Sequence, residues 1–226
     1  VGTGGNVLFG LLAVVSLIGL TELYKVIEVQ NKLLGFAGYL ATVAYYVLLY
    51  TGNLQYMTLF TIVFLVLVMA VYVFTFPNYR SEQVMTVFFG VFYVAVMLSY
   101  IYQTRMLEDG GIVVWLIFLS SWGCDTCAYC AGMLLGKHKM APVLSPKKSI
   151  EGAIGGIVGA TALGVIYGSI VSTRMTEELV SPMLTFAVAS CIGAMLAIVG
   201  DLAASAIKRN YNVKDYGKLI PGHGGI

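Results

Sequence analysis

The 226-residue chain is 59% hydrophobic and only 11% charged, with a formal net charge of +2 and a mean hydropathy of +0.88. A soluble domain carries roughly 25% charged residues, so this composition excludes that class and indicates an integral membrane protein. Spans of about 20 apolar residues each consume the length, which predicts one helical bundle.

Hydropathy and turn residues predict about seven membrane-crossing helices, over 7–27, 33–50, 57–76, 84–102, 112–135, 150–171 and 184–207. The fold class is therefore all-α, a polytopic transmembrane bundle. Gly52-Asn53 and Pro77-Asn78 are turn dipeptides, and Gly110-Gly111 follows a charged loop. The cut between the second and third helices rests on a short uncharged linker. The chain reads as a single transmembrane domain over 1–226. Residues 1–110 supply N-terminal helices with little motif content, and 111–226 form a catalytic half with basic loops. No signal peptide is visible and Val1 is not an initiator, so the chain is expected to start inside a longer protein.

Of the 13 Lys and Arg, all but Arg105 and Arg174 follow an odd-numbered helix. The positive-inside rule then puts those loops and the chain's end in the cytoplasm, with a multi-pass chain in the cell membrane. The opposite face carries Glu108, Asp109, Glu177 and Glu178.

Carboxylates inside the spans are the next signal, because a bare one in hydrocarbon costs about 2.5–3.5 kcal/mol even on a lenient scale. The four are Glu22, Asp125, Glu151 and Asp201. At a 1.5 Å rise per residue, Asp201 lies roughly 9 Å and Asp125 roughly 15 Å from the cytoplasmic ends of their helices, with Glu22 and Glu151 nearer the surface. All four are expected to face a polar cavity that opens to the cytoplasm. Ser205 and Lys208 share the helix face of Asp201 at i+4 and i+7, where an Asp201–Lys208 ion pair would be the purely structural alternative. Asp125 shares a face with Tyr129, Gly132 and Gly136, whose small residues also invite helix packing.

Between the fifth and sixth helices runs a basic segment with Lys137, His138, Lys139, Lys147 and Lys148. Ser145 and Pro146 read as an N-cap and first helical position, a helix start that can receive an anion, with Lys147 and Lys148 adding to its field. His138 reads as a surface residue. Gly152, Gly155, Gly156 and Gly159 read as a packing stripe. Cys124, Cys127 and Cys130 share a broad helical face, but no fourth ligand is spaced to join them. They read as small polarizable packing residues, and cysteines within membrane spans do not make a disulfide framework.

The last stretch concentrates phosphate-handling chemistry. Asp201 can hold a hard cation, Lys208, Arg209, Lys214 and Lys218 can meet phosphate oxygens, and the glycines let backbone N–H groups approach an anion. The run S-A-I-K-R-N-Y-N-V-K-D-Y-G-K-L-I-P-G-H-G-G-I over 205–226 resembles the signature of the phosphatidate cytidylyltransferases, or CDP-diacylglycerol synthases. The matched positions are Ser205, Lys208, Arg209, Lys214, Asp215, Gly217, Pro221, His223, Gly224 and Gly225. The segments W-G-C-D-T-C-A-Y-C-A-G over 122–132 and S-P-K-K-S-I-E-G-A-I-G-G over 145–156 are similar to two further blocks of that family. The resemblance thus covers 122–226 and says little about the residues before.

It implies a membrane nucleotidyltransferase that joins CTP and phosphatidate into CDP-diacylglycerol, releasing pyrophosphate in phospholipid biosynthesis. Catalysis would rest on Asp201, Asp125 and Lys208, with Mg2+ on Asp201 and Asp125 and a second cation left open. Substrates would meet Lys147, Lys148, Ser205, Arg209, Lys214, Lys218, Gly222, His223, Gly224 and Gly225. Partners would be CTP, phosphatidate and membrane lipids, without nucleic acid, and a homodimer is allowed. A D-R-x-D segment follows this signature in the family, so the 226 residues as written are expected to hold an incomplete site. A CTP-dependent lipid-alcohol kinase would share the setting but release CDP. A transporter would also bury carboxylates, but the chain has no internal repeat and a transporter needs no basic, glycine-rich loop.

Overall fold

The computed structural model describes residues 4–175 and 181–217. Among them, seven helices are long and apolar enough to cross a membrane, as a multi-pass membrane protein requires. They are α1 (Gly4–Val26), α2 (Leu33–Tyr50), α3 (Met57–Phe74), α4 (Ser81–Arg105), α5 (Gly110–Leu135), α6 (Ile150–Val171) and α7 (Pro182–Asn210). The expected spans are all present. The start of α4 comes earlier than hydropathy predicts because the Arg80 backbone N–H donates to Gln83 Oε1 at 2.9 Å, and Gln83 Nε2 donates to the Ile27 carbonyl at 2.8 Å. The buried Gln83 amide is thereby bonded through both its oxygen and its nitrogen.

The helices fall into two compact units. One comprises Val1–Tyr102 with Tyr211–Ile226 and holds α1 to α3 and most of α4. Its core combines apolar packing around Leu20, Ile27, Leu34, Val68 and Val87 with a few interhelical polar contacts. The Tyr24 hydroxyl donates to the Val87 carbonyl at 3.1 Å, Tyr45 and Ser99 share a 2.6 Å hydrogen bond, and Ser16 and Tyr46 a 2.8 Å one. Bonds of this kind between membrane helices are worth about 0.6 kcal/mol on average, so their role is register rather than bulk stability.

The second unit, Gln103–Asn210, holds α5, α6 and α7. Gly152, Gly156, Ala160, Gly164 and Gly168 recur every fourth residue of α6 and are buried. A Cβ at Gly156 would lie 2.9 Å from the Cys124 carbonyl, and one at Gly159 would overlap the Cys127 side chain. The α6 backbone therefore runs directly against α5, and dispersion holds the pair where lipid leaves no hydrophobic drive. Gly193 of α7 abuts Ser120 of α5 in the same way, and Cys124, Ala160 and Ala194 meet in one core, one residue from each helix. The packing reading of the glycines and of Cys124 and Cys127 is the one the structure has.

The segment before α6 differs from expectation. Residues Lys139–Ala141 (β1) and Ser145–Ser149 (β2) pair antiparallel, with Lys139 opposite Ser149 and Ala141 opposite Ser145. Ser145 and Pro146 are thus strand residues and do not start the helix. The N-cap is Ser149, whose extended backbone (φ −114°, ψ 157°) turns its hydroxyl to accept the Gly152 N–H at 3.1 Å. Ser149 wins because it is buried against Gly132, Gly136 and Gly152, which leave its side chain room, whereas Pro146 is exposed and equally at ease in a strand.

Candidate functional site

In the second unit the packing of α5 on α6 determines where Asp125 points. Cys124 is fully buried between the helices, and Asp125, the next residue on α5, turns outward and is exposed. It lines a cavity of about 320 Å3 together with Tyr129 and Gly132 of α5, Lys147, Lys148 and Ser149 of β2, and Met140 of β1. The hairpin therefore roofs the acidic face of α5 and brings two ammonium groups to it. Ala153 and Ile198 close the apolar side.

Lys148 joins the two carboxylates. Its Nζ pairs with Asp201 Oδ2 of α7, and Lys148 lines the same cavity as Asp125. The ion pair of Asp201 therefore reaches across from β2 rather than staying within its own helix. The Lys148 side chain is 29% exposed and that of Asp201 52%, so the pair keeps an open side from which a ligand can approach.

Glu151 does different work from the one its sequence position implies. It accepts the backbone N–H groups of Lys137 and His138 at 3.1 and 3.2 Å, and His138 Nδ1 at 2.6 Å. It fastens the entry of the hairpin to the first turn of α6 and is not among the residues lining the cavity. His138 is exposed, as expected, yet held by this contact. Glu22 belongs to the first unit. Of the four carboxylates expected in one cavity, Asp125 lines it and Asp201 is tied to it through Lys148.

Ser205, Lys208 and Arg209 occupy the final turns of α7, the first two half-buried and Arg209 exposed. Lys214 is exposed in the segment that follows and falls in the first unit. Lys218, Gly222, His223, Gly224 and Gly225 lie outside the described residues, as do Pro221, Glu177 and Glu178. Among the cavity residues, Ser149, whose cap is signalled by a serine two positions before an acidic residue, and Met140, Ala153 and Ile198, which have no local signal, escaped sequence reasoning.

Among the described residues no three His, Cys, Asp or Glu side chains gather into a metal cage. The donor set is nevertheless suited to Mg2+. Asp125, in the cavity with Lys148, and Asp201, paired with Lys148, are hard oxygen donors, and Mg2+ commonly takes one or two protein carboxylates and completes its shell with water and substrate phosphates.

Comparison with known proteins adds the family. The sequence model of the cytidylyltransferase family matches residues 1–226. The chain is similar to a phosphatidate cytidylyltransferase of Staphylococcus epidermidis, 41% identical over 125 residues, which are 55% of this chain and 45% of that protein. It is also similar to enzymes of the same name from Thermotoga maritima, 38% over 111 residues (49% of this chain, 41% of that one), and Bacillus subtilis, 36% over 125 residues (55% and 44%). The matched stretch spans under half the length of each relative.

Proposed function

Because the chain belongs to the cytidylyltransferase family, we propose that it carries the cytidylyltransferase site of a phosphatidate cytidylyltransferase. The reaction joins CTP and phosphatidate into CDP-diacylglycerol and pyrophosphate. The observation that carries this reading is the charge constellation of the second unit: Asp125 and Asp201 flanking Lys148, with Lys147 on the same cavity wall. The names of the relatives favour it over a lipid-alcohol kinase or a transporter.

A phosphate monoester oxygen of the lipid is already a nucleophile, so the chain needs no activated serine or cysteine. The oxygen attacks the α-phosphorus of CTP, the bond from that phosphorus to the bridging oxygen breaks, and pyrophosphate leaves. The residues supply alignment and charge neutralisation. Lys148 and Lys147 meet phosphate oxygens as point charges at the cavity wall. Arg209 and Lys208, at the end of α7, meet the leaving pyrophosphate, and Ser205 donates a hydrogen bond on the face of Asp201. Asp125 and Asp201 would hold Mg2+, whose charge offsets that building on the phosphates. Lys214, Lys218 and the glycines around His223 are further candidates for phosphate contact. Tyr129, Met140 and Ile198 give the cavity an apolar side for a lipid.

The active site faces the cytoplasm of a cell membrane, where the soluble nucleotide is found, in keeping with the basic residues gathered on that face. The test supplies the protein in phosphatidate-containing micelles with cytidine-labelled CTP and Mg2+. Label entering the lipid, with release of pyrophosphate, is the expected result. Release of CDP with phosphorylated lipid would replace this reading by a kinase.

A further inference from the structure

The first unit contains a contact that the cytidylyl-transfer scheme does not use. Glu22 lies in the last turns of α1, in an otherwise apolar span, and is 9% exposed. Gly217, next to Lys218 at the start of the glycine-rich stretch, sits directly against it. A Cβ on Gly217 would overlap the Glu22 carboxylate and approach Glu22 Cγ to 2.9 Å. Among the described residues Gly52 is the glycine with positive φ, so Gly217 supplies room for close approach rather than an unusual backbone conformation.

A second contact points the same way. Tyr216 is half-buried, and burial followed by the neighbouring Tyr93 of α4 holds its phenol above the ordinary value. Tyr216 and Gly217 together with Thr21, Glu22 and Lys25 bound a cavity of about 400 Å3. The segment leaving α7 is thus anchored on the first unit by one aromatic side chain and one glycine seat.

We propose that Glu22 is a positioning residue that seats Gly217 and so fixes the segment that carries Lys214. The assignment rests on the cytidylyl-transfer reading for its effect on turnover, and on the Glu22–Gly217 contact alone for the seat. It also accounts for an acidic residue in α1, where a structural role in lipid would be served better by an apolar side chain.

The test compares the intact protein in membrane vesicles with Gly217→Ala, Glu22→Asp and the double variant, reading tryptic cleavage after the exposed Lys214 and CDP-diacylglycerol formation. An added methyl group at Gly217 displaces the segment, so Gly217→Ala should speed cleavage and slow turnover, each roughly tenfold. Shortening the acid by one methylene makes that room again, so the double variant should return both to within about threefold of the parent. Unchanged cleavage in Gly217→Ala overturns the seat, as does failure of Glu22→Asp to restore it. Faster cleavage with undiminished turnover overturns the positioning role. Cleavage is read without turnover, so a failed seat is distinguishable from a failed cytidylyl-transfer reading.

Discussion

Lys148, one residue before the end of β2, and Asp201, deep in α7, meet as an ion pair although the whole of α6 separates them in the chain. Lys148 also lines the cavity that holds Asp125 of α5, so a single lysine stands near carboxylates contributed by two different helices. This arrangement separates stability from chemistry. With both partners partly exposed, the pair contributes about 1 kcal/mol or less to the fold. Lys148→Met should therefore leave thermal stability nearly unchanged while lowering turnover roughly 100-fold, the scale on which a preorganised charge contact acts. Melting in detergent and labelled-CTP incorporation measure the two, and a matched fall in both would make Lys148 a structural residue.

The hairpin depends on Glu151 as its fastening. Replacing that carboxylate by Gln keeps the size but weakens acceptance from the Lys137 and His138 N–H groups and from the His138 ring. Hydrogen exchange over residues 137–149 should rise roughly tenfold in Glu151→Gln, with α5 and α6 unaffected, because local opening draws on local contacts. Uniform acceleration across all helices would show that Glu151 supports the bundle and not the hairpin.

The α5–α6 contact is tight enough that one methyl group should be felt. At Gly156 a Cβ would meet the Cys124 carbonyl and sulfur and the Ala128 methyl, all at 2.9 Å. Two of these neighbours belong to the backbone or sit close to it and have little freedom to retreat, so Gly156→Ala should cost about 1–3 kcal/mol. Gly200, which has open space around its α-carbon, should accept alanine without loss. Chemical denaturation of the two variants side by side decides the point.

These contacts show where sequence reading reached and where it stopped. The spans were legible because apolar runs of membrane length have few other uses, and the stripe from Gly152 to Gly159 was legible because helical period alone puts those residues on one face. Asp125 and Asp201 stood out by the cost of a carboxylate in hydrocarbon. Their connection through Lys148 did not, since it depends on a hairpin whose strands are short and whose register no local pattern announces. Ser145-Pro146 imitates a helix start, and only the buried setting of Ser149 decides against it. Glu151 looked like a third member of the acidic cavity because depth along a helix says nothing of which neighbour the side chain meets.

Orientation is a separate matter of charge. Lys147 is exposed on the hairpin, so Lys147→Cys in a background stripped of Cys124, Cys127, Cys130 and Cys191 gives one reporter. An impermeant maleimide should fail to label it in sealed spheroplasts and succeed after permeabilisation, following the excess of basic residues on that face. Labelling from outside would invert the topology and move the cavity away from the nucleotide.

The two carboxylates should also behave as one unit. If Asp125 and Asp201 hold the same cation, removing either leaves a set too poor for Mg2+, which accepts few substitutes for carboxylate or phosphate oxygen. Asp201→Asn and Asp125→Asn should each lower turnover by at least about 100-fold, and the double variant should fall no further than the worse single one, as groups acting together do. Chelation of divalent cations should abolish turnover in the parent, and higher Mg2+ should recover part of it in Asp125→Asn before it does in Asp201→Asn, because Lys148 binds Asp201 directly and would lose that partner as well. Losses that simply multiply in the double variant would assign the two aspartates separate tasks, one on the cation and the other on a substrate or on Lys148.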